Sequence, residues 1–213
     1  MYWIINRKIT SMVKGYPKMK NRIKSIITLS QTKFLNFYHV IYENKLGQEK
    51  IWFIASRKSE EIIKKQYFEG QEDKVDAVLL AAIHEETQKL VMVRQYRVPL
   101  NDYIYELPAG LIDEGEDFRV SVARELKEET GLELIAINEK RSRMKAYLSP
   151  GMTDESVAMV YCTCKGELSK EYLEADEDIE PLLVSKEEAK VLLDSNARMD
   201  VKAFIILQQF ADS

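Results

Sequence analysis

The sequence predicts an α+β fold, a sandwich of helices and a sheet, preceded by a small antiparallel β subdomain. Two observations carry this prediction. Strand-like apolar runs outnumber the three helical patterns and do not alternate with them regularly, as they would in a doubly wound sheet. A charged stretch at 57–74 also separates an N-terminal pair of strand-like runs from the rest. The 213 residues suffice for a small domain joined to a larger one.

Residues 34–74 are predicted to form the N-terminal β-hairpin subdomain. The runs 34–42 and 50–56 are aromatic and β-branched, which is typical of strands. The polar link 44–47 between them suits a hairpin turn. Residues 57–74 are expected to be a connecting segment, helical or irregular.

Residues 1–33 form a basic N-terminal arm to which no fold is assigned, since Gly15 and Pro17 interrupt any helix. Residues 1–42 contain eight Lys or Arg and no acidic residue, although the chain's net charge is −4. Such an arm can contact nucleic acid or an anionic surface, or pack against an acidic body. We favour packing and expect no nucleic-acid partner, because the arm lacks a dense Lys/Arg block.

Residues 75–213 are predicted to form the larger domain. A turn at 85–88 joins its first two strands into a hairpin. Ser185 and Glu188 have capping-box spacing ahead of one helix, and Asp200 can cap a terminal helix. The predicted strands are 75–83, 90–95, 103–107, 132–137 and 156–164.

Cysteine usage and hydropathy predict a cytoplasmic protein that does not cross a membrane. Cys162 and Cys164, the only two cysteines, lie two apart on a predicted strand, where they share a face but are poorly placed to form a disulfide. We expect both to be reduced packing residues. No apolar run approaches the ~20 residues that span a bilayer.

Three carboxylates converge on a predicted helix that follows Gly110. Glu125, Glu128 and Glu129 are three or four residues apart, so they share a helix face and repel one another. A divalent cation would remove this repulsion, and ligands that are all oxygen suit Mg²⁺ or Mn²⁺. The alternative is an ordinary solvated acidic face.

The segment from Gly110 to Leu132 resembles the signature of the Nudix hydrolases at every defined position. Gly110 is followed after five residues by Glu116 and after seven more by Arg124-Glu-Leu-Lys-Glu-Glu-Thr-Gly-Leu132. A chance match at one starting position has odds on the order of 10⁻⁸ at average residue usage. The resemblance implies a mixed sheet between helices, an α/β/α sandwich with the signature helix at one end.

The residues around the signature resemble the ADP-ribose pyrophosphatase branch of this family. Gln95-Tyr-Arg97 and the run from Glu106 into the signature carry this likeness, which implies that Arg97 contacts the substrate's phosphates or terminal ribose. Trp52 and Arg57 also resemble a feature of some members, in which the tryptophan stacks on adenine and the arginine meets phosphate across a homodimer interface. The alternative for Trp52 is a half-buried strand aromatic.

A turn-rich loop, Ser149-Pro150-Gly151 to Glu155, follows the signature. In bacterial members of the branch such a loop ends in a glutamate that acts on the attacking water. The resemblance therefore implies that Glu155 is the general base and that Pro150 lies at the substrate. Asp154 competes for this role, Glu128 is an alternative base, and a solvated loop acid is the non-functional reading.

The resemblance implies an enzyme that cleaves ADP-ribose to AMP and ribose 5-phosphate with Mg²⁺, or with Mn²⁺. The metals would be held by the carbonyl of Ala109 with Glu125 and Glu129, while Glu128 takes a second ion or a bridging water. Arg124 and Glu116 are expected to orient these carboxylates. The alternatives are hydrolysis of a nucleotide sugar such as GDP-mannose, an ADP-ribose sensor without activity, and a relative of messenger-RNA decapping enzymes.

Overall fold

A computed structural model describes residues 20–213, so residues 1–19 of the predicted basic arm lie outside the described residues. The chain divides into two compact units. The N-terminal unit consists of the residues up to Asp73 together with Gly151–Asp154. The C-terminal unit consists of Lys74–Pro150 and Glu155–Ser213. Within the described part of the chain, no helix is long and apolar enough to cross a bilayer.

The N-terminal unit contains a three-stranded antiparallel sheet in the order β1 (Ile23–Ser30), β2 (Asn36–Glu43), β3 (Glu49–Ser56). The predicted hairpin is confirmed, because β2 and β3 pair antiparallel over their whole lengths. A short helix, α1 (Glu60–Lys64), and a π-helical turn, Lys65–Glu69, follow within the predicted connecting segment. The unit has its own core, built around Ile26, Tyr38, Val40 and Ile63.

Strand β1 lies where the sequence analysis assigned no structure. It pairs antiparallel with β2, and Ile26 faces the core opposite Val40. The two ends of this pairing carry register shifts. Edge strands of this kind are defined by the neighbour with which they pair more than by their own pattern, so the local sequence gave little signal.

The C-terminal unit is built on one mixed sheet of eight strands. Its main order is β11-β5-β4-β10-β8, while β6, β7 and β9 pair with β5, β4 and β10 respectively. The pair β10 and β4 is parallel and the other described pairs are antiparallel. The strands are β4 (Ala77–His84), β5 (Leu90–Arg97), β6 (Asp102–Glu106), β7 (Ala109–Leu111), β8 (Glu133–Ile137), β9 (Arg143–Tyr147), β10 (Ser156–Lys165) and β11 (Ile179–Val184).

Three helices cover this sheet, α2 (Phe118–Thr130) on one face and α3 (Lys186–Asp194) with α4 (Val201–Ala211) on the other. Strand β4 shows the division, because successive side chains of a strand point to opposite faces. Its residues 77, 79 and 81 pack in the core of α3 and α4, and residues 78, 80 and 82 pack in the core of α2. The predicted α/β/α sandwich with a mixed sheet is therefore confirmed.

The caps of the signature helix α2 fix its two ends. Asp117 is the N-cap residue, and its carboxylate accepts a hydrogen bond from the backbone N–H of Arg119 at 2.9 Å. Gly131 ends the helix in the left-handed conformation, with φ of 77°. The carboxylates that follow Arg124 consequently lie in its C-terminal half.

The two cysteines are free and buried on strand β10, as predicted. Their side chains lie on the α2 face of the sheet among apolar neighbours. Burial raises the pKa of Cys162 to about 12 and that of Cys164 to about 11. Both thiols therefore stay protonated at neutral pH.

Candidate active site

Strand β7 and the signature helix bring Gly110 and Glu125 into contact. A β-carbon built on Gly110 would lie 1.9 Å from Cδ of Glu125, which is too close for any side chain at this position. Only glycine therefore leaves room for the Glu125 carboxylate against the strand. This contact gives a physical reason for the first glycine of the signature.

Glu129 is the more deeply buried carboxylate of the site, with 4% of its surface exposed. Its Oε2 accepts a hydrogen bond of 3.1 Å from the backbone N–H of Ala109. Burial raises the pKa of Glu129 to about 8, and the charges of Glu125 and Glu177 add to this effect. Burial also raises the pKa of Glu125. Without a cation, the site therefore opposes ionisation of both groups.

Arg124 joins the remaining carboxylates of the signature. Its guanidinium donates to Glu116 at 3.0 and 3.2 Å, to Glu125 at 2.7 Å and to Glu128 at 3.0 Å. It also donates to the carbonyl of Leu111 at 2.8 Å. These bonds lower the pKa of Glu116 to about 2 and raise the pKa of Arg124. Arg124 and Glu116 thus form a fixed ion pair that orients its neighbours.

The donor set suits a hard divalent cation, although the described residues form no preassembled group of three or more metal-binding side chains. Glu125 and Glu129 are buried carboxylates whose pKa values are raised by burial, although Arg124 pairs with Glu125, and a cation would relieve this desolvation. Glu128 is more exposed and bonds to Arg124. A cation at this position would compete with the guanidinium for Glu125 and Glu128.

Arg97, at the end of β5, is electrostatically coupled to the same cluster. Its Nε donates to Glu106 Oε2 at 2.7 Å across the β5–β6 pair. Its charge lowers the pKa of Glu129, which opposes the effect of burial. The structure therefore groups Arg97 with the signature carboxylates within the C-terminal unit, while its side chain stays partly exposed.

The other predicted substrate residues are divided between the two units. Trp52 and Arg57 belong to the N-terminal unit, whereas Pro150 and Glu155 belong to the C-terminal unit. Trp52 is half exposed, and its indole N–H donates to the carbonyl of Gly151 at 3.2 Å. Asp154, the competing general base, is ion-paired with Lys58 at 2.9 Å. Trp52 and Asp154 therefore both make contacts that stabilise the N-terminal unit itself.

Comparison with known proteins decides the family. The model of the NUDIX domain matches residues 73–204, which is more than half of the chain. The chain belongs to the Nudix family. It is therefore a Nudix hydrolase, a class whose members generally use divalent metal cations.

Individual relatives agree with this assignment. The Nudix chain is 36% identical over 137 residues to the ADP-ribose pyrophosphatase of Bacillus subtilis, covering 62% of this chain and 70% of that protein. It is 37% identical over 135 residues to the methanol dehydrogenase activator of Bacillus methanolicus, with coverage of 62% and 70%. A crystal structure of an ADP compounds hydrolase shares the fold, with a TM-score of 0.65 and 20% identity over 93% of this chain and 97% of that one.

Glu177 is a carboxylate near the signature carboxylates of this Nudix chain that the sequence analysis did not consider. It precedes β11, and its charge raises the pKa of both Glu125 and Glu129. In the sequence it belongs to an acidic run at 171–178 that resembles a solvated loop. Only the pairing of β11 with β5, which places Asp178 beside Tyr96, brings this loop to the site.

Proposed function

We propose that this Nudix hydrolase cleaves the pyrophosphate of ADP-ribose to AMP and ribose 5-phosphate. The observation that carries the proposal is the pair of buried carboxylates, Glu125 and Glu129, beside Gly110, with Arg97 near enough for its charge to act on Glu129. An arginine suited to phosphate thereby lies in the electrostatic range of a site suited to a cation. The B. subtilis relative bears the name of an ADP-ribose pyrophosphatase, which supports the choice of substrate.

In this proposal the carbonyl of Ala109 and the carboxylates of Glu125 and Glu129 hold Mg²⁺, with Mn²⁺ as a substitute. Glu128 takes a second ion or a bridging water. The bound cation supplies positive charge against the phosphate oxygens and lowers the pKa of water. The burial of Glu125 and Glu129 supports this assignment, because a cation offsets the desolvation of their charges.

Six further residues orient or bind in this scheme. Arg124, held by Glu116, fixes the direction of Glu125 and Glu128. Glu106 pairs with Nε of Arg97, and Arg97 contacts the substrate's phosphates through its two terminal guanidinium nitrogens. As the branch resemblance implies, Trp52 stacks on adenine and Arg57 meets phosphate across the homodimer interface, while Pro150 lies at the substrate.

The proton of the attacking water goes to a carboxylate, for which two residues compete. Glu155 is the general base that the resemblance implies, at the end of the loop after Pro150. Glu177 is the carboxylate that electrostatics links to Glu125 and Glu129. Asp154 is less suited, because its Oδ2 is already held in an ion pair with Lys58 at 2.9 Å.

The proposed function is tested by matched kinetics on ADP-ribose, GDP-mannose, a dinucleotide and capped RNA, each with and without Mg²⁺. We expect kcat/KM to be highest for ADP-ribose and to fall to background in EDTA. A higher value on GDP-mannose would contradict the substrate assignment. Binding of ADP-ribose without products would contradict hydrolysis.

The general base is tested by Glu155→Gln and Glu177→Gln under the same conditions. Loss of the base is expected to lower kcat by about 10²–10⁴-fold and to remove the acidic limb of the pH–rate profile. The variant that loses this limb identifies the base. If both variants keep the limb, Asp154 and Glu128 are the remaining candidates.

The homodimer and the cytoplasmic location are also part of the proposal. The outward face of the N-terminal sheet carries Ile27, Phe37, Ile51 and Phe53, all exposed, and this apolar surface supports association through that sheet. The proposed domains are 34–74 for dimerisation, extended by strand β1 of the same sheet, and 75–213 for catalysis. Reduced cysteines support a cytoplasmic setting.

A further inference from the structure

Lys58 is a buried cation of the N-terminal unit that binds the segment Gly151–Asp154. Its side chain is 9% exposed, and its Nζ donates to Asp154 Oδ2 at 2.9 Å. The same Nζ lies 3.1 Å from Asp73 Oδ1. A buried ammonium is tolerated only when carboxylates pair with it. The ion pairs therefore tie this segment to the N-terminal unit.

The backbone of Lys58 is fixed by three buried side chains. Its carbonyl accepts hydrogen bonds from Asn36 Nδ2 at 3.0 Å and from the hydroxyl of Tyr38 at 2.8 Å. Its N–H donates to Ser56 Oγ at 3.1 Å. Strands β2 and β3 thus set the position from which the ammonium reaches the segment.

Strand β3 holds the segment Gly151–Asp154 at two further points. The N–H of Ala55 donates to the carbonyl of Met152 at 3.0 Å, and the indole of Trp52 donates to the carbonyl of Gly151. The chain enters this segment from Pro150 and leaves it at Glu155, both of which are proposed site residues. The anchored segment Gly151–Asp154 therefore lies directly between these two proposed site residues.

Asp154 depends on Lys58 for its charge compensation. One carboxylate oxygen, Oδ2, bonds to the lysine, while Oδ1 is buried with no hydrogen-bond partner among residues 20–213. Removing the lysine would leave the carboxylate of Asp154, whose side chain is 21% exposed and whose Oδ1 is buried, without its cation, which is unfavourable. The segment would then shift to hydrate the buried Oδ1 of Asp154.

We propose that Lys58 is a positioning residue for the Nudix reaction. By holding Asp154 it fixes the anchored segment, and through the chain it fixes Pro150 and Glu155. The inference rests on the proposed function, because it assigns these two residues to the site. Lys58 itself does not contact the reacting atoms in this scheme.

The test compares Lys58→Met with Lys64→Met, a control that removes an exposed lysine paired with Glu60 in the same unit. We expect amide exchange in residues 148–156 to be faster by about tenfold in Lys58→Met only. Its kcat/KM on ADP-ribose should fall by about 10–100-fold, because small misplacements of site groups have effects of this size. Lys58→Arg, which keeps a cation at this position, should bring both the exchange rate at 148–156 and kcat/KM part of the way back to the wild-type values.

A cycle with Asp154→Asn separates positioning from general destabilisation. If Lys58 acts through Asp154, the double variant is no slower than the slower single variant. Additive losses, unchanged exchange at 148–156, or kcat/KM within twofold of wild type would overturn the inference. Asp154→Asn carries the test if Lys58→Met does not fold. The exchange measurement needs no substrate, so wild-type inactivity on ADP-ribose would contradict only the proposed function.

Discussion

At the scale of single residues, the surroundings of Glu129 oppose the ionisation of its carboxyl group. Burial raises its pKa from 4.5 to about 8, so the folded chain binds this proton more tightly than the unfolded chain does. The contribution of Glu129 to the free energy of unfolding is therefore fully present below pH 4.5 and is lost as the pH rises through 8. Through Glu129, the free energy of unfolding of the metal-free protein is therefore lower at neutral and alkaline pH than at acidic pH.

Glu129→Gln should remove this penalty. In EDTA at pH 8 we expect its unfolding midpoint to exceed that of wild type by on the order of 5 °C, and at pH 5 the two should nearly coincide. Mg²⁺ should raise the wild-type midpoint only, and turnover of the variant should fall at least about 100-fold. Calorimetry and kinetics measure these effects, with the exposed Glu139→Gln as control. A midpoint below wild type at pH 8 would contradict the assignment.

Gly110→Ala tests the contact between β7 and the signature helix. The new β-carbon meets the end of the flexible Glu125 side chain, so the carboxylate can turn away and the free energy of unfolding should change by less than about 2 kcal/mol. Activity and Mg²⁺ affinity should fall at least tenfold, because Glu125 is displaced. The double variant with Glu125→Gln should be no worse than Glu125→Gln alone. Retained metal affinity would show that Glu125 is not a ligand.

At the scale of secondary structure elements, the capping box of α3 makes a prediction separate from the chemistry. Ser185 Oγ accepts from the N–H of Glu188 at 3.2 Å, and the Glu188 carboxylate accepts from the N–H of Ser185 at 2.7 Å. Ser185→Ala should destabilise the fold by about 1 kcal/mol, or about 2–4 °C, and leave kcat/KM unchanged. Thermal unfolding measures the shift. A loss of activity without a shift would link α3 to the site.

The elements differ in how far the sequence predicts them. The hairpin of β2 and β3 and the signature helix have strong local patterns, and both are confirmed. Strands β1, β7, β9 and β11 were missed, because pairing with a neighbouring strand defines them. β11 even contains Pro181, which a sheet accepts at its edge.

The candidate site shows the same limit. The signature identifies Glu125, Glu128 and Glu129 by their spacing, since all three belong to one helix. Glu177 and Lys58 have no such local signal. The first is brought in by the β11–β5 pairing and the second by an ion pair between residues 96 apart in sequence. The positions of Glu177 and Lys58 depend on tertiary contacts, which no local sequence pattern encodes.

At the scale of the whole molecule, the exposed face of the N-terminal sheet predicts a dimer that a single charge disrupts. Phe53 is 52% exposed and stacks on Phe37 with ring centroids 5.9 Å apart. Phe53→Asp would place a carboxylate in an apolar interface, which is costly unless it is paired. Sedimentation should give about half of the wild-type mass. Ile205→Asp, which changes an exposed apolar residue of α4, should leave the mass unchanged.

A wild-type protein that sediments as a monomer would contradict the dimer directly. A dimer that survives Phe53→Asp would place the interface elsewhere on the chain. Activity measured on the same samples then shows whether Trp52 and Arg57 act across the interface, because in that case the monomer loses affinity for ADP-ribose and keeps its affinity for Mg²⁺.

The division of the chain at Gly151–Asp154 restricts how this protein can be recombined. Four residues in the middle of the family domain pack with the N-terminal unit, so the chain crosses between the units at three points. Removing everything before Lys74 would delete the partners of these residues, including the lysine that compensates Asp154. The matched region 73–204 therefore cannot simply be transferred to another protein. Such a fusion would also need a redesigned segment 151–154.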